Sequence, residues 1–211
     1  MLRSKINRPE FLVLVTAFVI ATLISCDKKP VNDPAPSTSS VRIGGKEYPT
    51  VTIANQIWTV VNYDGAGGIA YKNGSEKPEY GRYYTFEEAK AIALPEGWRL
   101  PTKQDYIKLA ESQGVVFTNQ RATGQESTKK LASITNWITI RGTNSSGFNA
   151  HPAGYSFQDS VPIDGDICEF WMADGNTFSL QESGSGKTHT ILFYSTTGTG
   201  YRFNLRFVKD K

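Results

Sequence analysis

The sequence predicts an α+β domain made mainly of antiparallel sheet, with two helices and a long irregular loop region. Two stretches, residues 85–93 and 102–114, carry the start signals and the apolar spacing of amphipathic helices. Short alternating segments separated by glycine-rich turns lie on both sides of them, which is typical of antiparallel strands. Residues 115–170 contain few clear strands. A long irregular stretch inside one domain is unusual and often functional.

The first helix is predicted to start at Thr85. The Thr85 hydroxyl can accept from the amide of Glu88, and the Glu88 carboxylate can accept from the amide of Thr85, which together make a capping box. Apolar residues then recur at helical spacing as far as Ala93. Pro95 and Gly97 end the pattern, so the helix is expected to stop before them.

The second helix is predicted to start at Thr102, with Asp105 in the reciprocal position of a capping box. Gly114 suits the position that follows a helix. The expected buried stripe of this helix consists of Tyr106, Leu109 and Ala110. The chain therefore carries a second amphipathic helix of about three turns.

The segment between the helices reads Gly-Trp-Arg-Leu-Pro-Thr at residues 97–102. Alternation would point Trp98 and Leu100 the same way, and large apolar side chains are usually buried. We expect both in the core, and we expect the same of Trp171. Arg99 should then point the other way, toward solvent or a carboxylate.

Strands are predicted at both ends of the domain. Residues 41–53 predict a hairpin whose tight turn is Gly44-Gly45. Inside the irregular region, residues 129–134 suggest one helical turn and residues 137–140 suggest a strand. The last predicted strands are residues 167–172, 177–180, 190–194 and 201–208.

The N-terminus has the pattern of a bacterial lipoprotein signal peptide, predicted as residues 1–25. Basic residues precede an apolar run at 11–24 that is too short for an ordinary membrane span. The run ends in Leu-Ile-Ser-Cys, which resembles a lipobox, so Cys26 is the expected lipid anchor. A plain secretory signal and an uncleaved anchor are the alternatives. Residues 26–40 are expected to form a disordered tether, and 41–211 a single domain.

Charge and cysteine content restrict the partners. Removal of residues 1–25 lowers the formal net charge from +3 to +1, so no nucleic-acid partner is indicated. The lipid would instead hold the domain at the bacterial cell envelope, on the periplasmic or the surface face of the outer membrane. Cys168 would be the only cysteine left, so no internal disulfide is expected.

Two stretches resemble ligand sites. Residues 183–188 read Ser-Gly-Ser-Gly-Lys-Thr, but Gln181 stands where a phosphate-binding loop needs its first glycine, and a strand pattern follows. A hairpin tip is therefore expected there. Four acidic residues crowd one segment, and this segment is either a solvated acidic loop or a set of calcium ligands. These residues are Asp159, Asp164, Asp166 and Glu169.

No catalytic or zinc arrangement can be argued from spacing. His151 and His189 have no Cys or His partner at ligand spacing. Cys168 lies in an apolar strand, where a buried and inert thiol is the usual outcome. We therefore expect no enzyme, no cofactor and no metal.

Six blocks in order resemble the Fibrobacter succinogenes major paralogous domain of bacterial extracytoplasmic lipoproteins, over residues 50–209. The blocks are Ile-Ala-Asn-Gln-Ile-Trp at 53–58, Gly-Arg-Tyr-Tyr-Thr-Phe-Glu-Glu-Ala at 81–89, Pro-Glu-Gly-Trp-Arg-Leu-Pro-Thr at 95–102, Ser-Gly-Phe-Asn-Ala-His-Pro-Ala-Gly-Tyr at 146–155, Glu-Phe-Trp at 169–171 and Leu-Arg-Phe-Val at 205–208. This chain departs from the family pattern at some positions. Leu94 and Phe207 stand where many members have cysteines, which implies that these two side chains touch.

The resemblance implies a C-type-lectin-like fold, in which terminal strands pair, two helices flank the sheet, and long loops carry recognition. The expected function is a non-catalytic, lipid-anchored binding module for a glycan, a peptide or an envelope protein. The alternative is a structural or assembly subunit of an envelope complex. The expected ligand-binding residues lie in the long loop region, since binding residues favour loops on rigid supports. They are Asn144, Asp159, Asp164 and Asp166.

Overall fold

The computed structural model describes residues 39–71, 77–196 and 199–211. The predicted signal peptide, the anchor Cys26 and all but the last two residues of the predicted tether lie outside the described residues. The strands are β1 Ser40–Ile43, β2 Lys46–Ile53, β3 Gln56–Thr59, β4 Ile69–Ala70, β5 Arg82–Tyr83, β6 Trp98–Arg99, β7 Ser156–Phe157, β8 Ile167–Trp171, β9 Thr177–Glu182, β10 His189–Tyr194, β11 Tyr201–Arg202 and β12 Val208–Asp210. The helices are α1 Phe86–Lys90 and α2 Lys103–Glu111, with 3-10 turns at Pro78–Tyr80 and Glu126–Lys130.

Five strands form the larger sheet, in the order β1-β2-β3-β12-β6, and all of their pairings are antiparallel. The predicted hairpin is confirmed: Gly44 and Gly45 both have positive φ, which two-residue hairpin turns favour. The C-terminal strand β12 lies between β3 and β6, where Val208 pairs with both Trp58 and Arg99. The last strand of the chain therefore lies in the same sheet as the first three strands of the domain.

The second sheet has the order β10-β9-β8 and is also antiparallel. Residues 183–188 connect β9 to β10, as expected of a hairpin tip rather than a phosphate-binding loop. Two small ribbons, β11-β7 and β4-β5, complete the sheets. The described residues contain no helix with the length and hydropathy needed to cross a membrane.

Both capping boxes are formed. Thr85 and Glu88 bond reciprocally at the start of α1, and Thr102 and Asp105 do so at the start of α2. Helix α1 is shorter than the apolar spacing predicts, because it ends at Lys90. The apolar residues that follow it still pack against the core without being helical. The spacing of these apolar residues therefore indicates that they contact the core, although they are not helical.

Three apolar clusters hold the described residues together, and the two larger ones contain the helices and most of the strands. In the first, Tyr106 of α2 stacks on Phe178 of β9, with ring centroids 4.1 Å apart and planes within 6°. In the second, Trp171 is buried and its Nε1 donates to the backbone oxygen of Tyr84 at 2.7 Å. Trp171 is core, as predicted. Trp98 is only partly buried, because β6 is the last strand of its sheet.

Arg99 points to carboxylates, one of its two expected directions. It forms ion pairs with Asp105 and Asp210, and Gln56 donates to the Asp105 carboxylate at 2.7 Å. Burial acts to raise the pKa of Asp105, but the hydrogen bonds from Arg99, Gln56 and Thr102 hold it well below its usual value. The capping carboxylate of α2 is thereby tied to the closing strand.

The irregular region departs from the predicted local structure. Residues 137–140 are not a strand, because the amides of Thr139 and Ile140 donate to the Glu182 carboxylate at 2.7 and 2.8 Å instead of to a strand partner. The helical turn predicted at 129–134 is a 3-10 turn that ends earlier, at Lys130. The Glu182 carboxylate, from the distant strand β9, therefore determines the backbone conformation at Thr139 and Ile140.

Arg206 joins the irregular region to the end of the chain. Its guanidinium is fully buried and donates to the side chain of Asn62 and to the carbonyl oxygens of Thr59, Phe148 and Asn149, at 2.8 to 3.0 Å. Burial lowers its pKa to about 10. Among the described residues no carboxylate pairs with it, so neutral oxygens and aromatic faces surround this cation.

Candidate functional site

The four predicted ligand residues contact different partners. Asn144 is partly buried, and its backbone amide donates to Ala132. Asp159 is exposed and pairs with Arg202. Asp164 pairs with Lys77 and accepts from the Tyr71 hydroxyl at 3.1 Å. Asp166 is exposed, and its carbonyl oxygen accepts from the amide of Glu182 at 2.7 Å.

The acidic side chains of the segment therefore pair with different residues. Within the part of the chain that the structure describes, no three His, Cys, Asp or Glu side chains are grouped to hold a metal ion. The two histidines are buried in separate places, and burial lowers the pKa of His151 and of His189 to about 4. Both rings are therefore neutral at neutral pH.

A cleft of about 480 Å³ opens where β8, β11 and the end of β10 meet. This volume falls in the range of small-molecule sites. Aromatic and aliphatic side chains line most of the cleft, with one carboxyl among them. The lining residues are Tyr155, Ile167, Glu169, Tyr194, Ser195, Thr196, Tyr201 and Phe203.

Three rings form one wall of the cleft. Tyr201 and Phe203 stack with centroids 5.7 Å apart and planes within 6°, and Tyr155 lies 6.0 and 5.8 Å from them. Phe203 is itself held from behind by Trp171, edge to face at 4.6 Å. This wall is therefore attached to the second apolar cluster, which holds its rings in place.

Glu169 lies in the middle of β8 and is only 6% exposed. Successive side chains of a strand point to opposite faces of the sheet. Cys168 and Phe170 lie in the first apolar cluster, so the Glu169 side chain lies on the other face, toward the cleft. Its Oε1 accepts from the Thr177 hydroxyl at 2.9 Å. Among the described residues no Lys, Arg or His forms an ion pair with it.

The electrostatic consequence is a carboxyl that titrates near neutrality. Burial raises the pKa of Glu169 to about 7, against a smaller lowering by the Thr177 hydrogen bond. Perturbed carboxyls in clefts are frequent at functional sites. Cys168, next to it, is of the opposite kind, since burial raises its thiol pKa to about 12 and leaves it protonated and unreactive.

In the sequence, Glu169 is one of the four residues of the acidic segment and is not among the expected ligand-binding residues. The available signal is its position inside Ile-Cys-Glu-Phe-Trp, where a carboxylate interrupts a strand of otherwise apolar residues. Tyr155 is the last residue of the family block 146–155, which gives it no role in a site. The convergence of Tyr155, Tyr194 and Tyr201 has no local signal, because they come from three separate segments of the chain.

The fold and the cleft define a mainly antiparallel α+β domain with two helices and an aromatic cleft beside a buried carboxyl. The chain belongs to the Fibrobacter succinogenes major domain family, whose model matches residues 51–209. No curated protein and no solved structure matches the chain. The family predicted from the six sequence blocks is thus confirmed.

Proposed function

We propose that this protein is a non-catalytic, lipid-anchored binding module of the bacterial cell envelope, with a C-type-lectin-like fold. Its ligand is a glycan, a peptide or another envelope protein. The observation that carries the proposal is the aromatic cleft around Glu169. A concave site lined by several aromatic side chains and a small number of polar groups is the usual form of a ligand pocket.

The lectin-like fold is supported by three features of the domain. The C-terminal strand β12 pairs with β3 near the start of the domain, two capped helices accompany the sheets, and a long segment of little regular structure precedes β8. A binding role without catalysis is supported by the protonated, buried thiol of Cys168 and by the dispersal of the acidic side chains.

Attachment through Cys26 places the module at the envelope. Metabolic labelling with palmitate should mark the wild-type protein and leave Cys26→Ser unlabelled, because the lipid attaches to the cysteine that follows the cleavage site. Fractionation should find the wild-type protein in the membrane and the variant in the soluble fraction. Equal labelling of both proteins would contradict the anchor.

The binding role is tested with residues 27–211 on arrays of glycans and envelope proteins. Tyr201→Ala should weaken at least tenfold any interaction found, because it removes one ring of the cleft wall. Glu111→Ala is the control, since Glu111 is exposed at the end of α2 and lies outside both the lining set and the loop region. If Asn144→Ala, Asp159→Ala or Asp164→Ala weakens binding and Tyr201→Ala does not, the ligand binds the loop region instead of the cleft.

The second candidate function, an assembly subunit, is favoured by one observation. Large apolar side chains stand exposed in the segment 115–170, and such side chains mark protein interfaces when they are contiguous. They are Val116, Ile134, Ile138, Phe157, Val161 and Ile163. Replacing Ile138 and Ile163 by Ser should then abolish association with a partner protein, while Tyr201→Ala leaves that association unchanged.

A further inference from the structure

We propose that the aromatic cleft recognises a small organic ammonium group, with Glu169 as its counter-ion and the surrounding rings as its cage. The inference rests on the proposed binding function and names the chemical class of the ligand. The ammonium group could belong to a free quaternary amine or to a trimethylated lysine side chain of a peptide. Both present the same chemistry, a positive charge with apolar substituents.

The charge of the cleft favours a cationic ligand. A buried carboxylate is costly unless it is paired, and the described residues provide Glu169 with one hydroxyl, from Thr177, and no cation. The described residues that line the cleft include no Lys, Arg or His either. An anionic ligand would therefore meet only like charge. A cationic ligand would supply the missing counter-charge in a partly desolvated place.

The aromatic rings of the cleft also favour a cation. Tyr155, Tyr201 and Phe203 form one wall, and Tyr194 lies at the rim, 41% exposed. A cation is attracted to the face of an aromatic ring, and several rings around one position make the aromatic cage that binds quaternary ammonium groups. A neutral sugar could stack on such a wall and donate its hydroxyls to the carboxylate. It would leave the negative charge uncompensated, which a cation would not.

Glu169 gives the cleft its pH dependence. The groups near Glu169 are Tyr155 from the segment before β7, Tyr194 from β10, Tyr201 from β11 and Cys168 from β8 itself, with Asp166 near Tyr155, Arg121 near Tyr194 and Arg206 near Cys168. Burial raises the pKa of Tyr155, Tyr194 and the Cys168 thiol. Among the groups whose pKa burial raises, Glu169, with a pKa of about 7, is the one that changes charge between pH 6 and pH 8.

The experiment is calorimetric titration of the full chain in non-ionic detergent with choline and with its neutral isostere 3,3-dimethylbutan-1-ol. Choline should bind at least tenfold more tightly than the alcohol at pH 8. Its affinity should be roughly tenfold lower at pH 6, because the ionised fraction of Glu169 is smaller by that factor. Trimethyllysine amide, compared with choline, distinguishes a peptide source from a free amine.

Two isosteric variants isolate the carboxylate. Glu169→Gln should lose at least tenfold in choline affinity, keep the affinity for the alcohol and lose the pH dependence. Asp166→Asn, which removes an exposed negative charge nearby, should bind choline as the wild type does. Near-ultraviolet circular dichroism verifies that both variants are folded.

Several results would overturn the assignment. They are equal affinity for choline and the alcohol, an equal loss in Asp166→Asn, and no binding of either cation. If glycan or protein binding is still weakened by Tyr201→Ala, the ammonium proposal fails and the cleft remains a binding site. If Tyr201→Ala affects no ligand at all, the proposed function of the cleft fails as well.

Discussion

Glu169 occupies a strand whose other side chains are apolar, and its carboxyl has little contact with water. In the folded protein its pKa is about 7, against an ordinary value of 4.5. At a pH between 4.5 and about 7, the Glu169 carboxyl is protonated to a greater extent in the folded protein than in the unfolded chain. The free energy of unfolding contributed by this group therefore falls as the pH rises from about 4.5 to about 7, and it is constant above that range.

Glu169→Gln should remove this dependence. The stability of the variant relative to the wild type, measured by urea unfolding, should increase from pH 5 to pH 7 and level off by pH 8. His151 and His189, whose lowered pKa values act in the opposite direction with pH, are present in both proteins and cancel in the difference. A difference that does not vary with pH would show that the carboxyl titrates normally.

Arg206 is a second buried charged residue, and its guanidinium donates hydrogen bonds to four oxygen atoms. Arg206→Met should destabilise the domain on the order of 3 kcal/mol or more, because buried oxygens of Thr59, Asn62 and Phe148 lose their donor. The measurement is the urea midpoint at neutral pH. Arg42→Met, an exposed arginine in β1, is the matched control and should change stability by less than about 0.5 kcal/mol.

At the scale of elements, the two tryptophans of β6 and β8 differ in burial. Trp171 is 3% exposed and donates to a backbone oxygen, whereas Trp98 lies on the last strand of its sheet and is partly exposed. Trp171→Ala should cost about 3–5 kcal/mol, as for a large buried aromatic. Trp98→Ala should cost about 1 kcal/mol, since less apolar area is lost. Thermal unfolding of the two variants compares them directly, and equal losses would contradict this assignment.

At the scale of the molecule, residues just before the closing strand and residues that follow α1 share one apolar cluster. Phe207 is buried in the second apolar cluster, and Leu94 packs against that cluster while partly exposed. Their direct contact stays a prediction from the family resemblance. Leu94→Cys with Phe207→Cys should form a disulfide if their Cα atoms are about 4.4–6.8 Å apart. The crosslink should raise the unfolding temperature, by up to about 4 kcal/mol of stability in the chain-entropy model.

The test compares the double variant under oxidising and reducing conditions. A gain in unfolding temperature that is lost on reduction supports the pairing. Each single cysteine variant is the control, because neither can form an internal bridge with the buried Cys168 without disrupting the core. A double variant that stays reduced in oxidising buffer would mean that the two positions do not face each other.

The sequence by itself determined the family, the two capped helix starts, the first hairpin and the burial of Trp171 and Cys168. Helix caps and tight turns depend on contacts within about four residues, so a short stretch of sequence is enough to predict them. Ordered sequence blocks identify a family for the same reason, since each block can be compared position by position.

Only the tertiary structure decided where the candidate site lies. Glu169 meets Tyr155, Tyr194 and Tyr201 because β8, β10 and β11 come together, and no short-range pattern reports that convergence. The same is true of the predicted ligand residues. Asp159 and Asp164 are close in sequence, yet Arg202 and Lys77, far along the chain, draw them into separate ion pairs. Burial and charge pairing depend on contacts between distant segments, and those contacts exist only once the chain has folded.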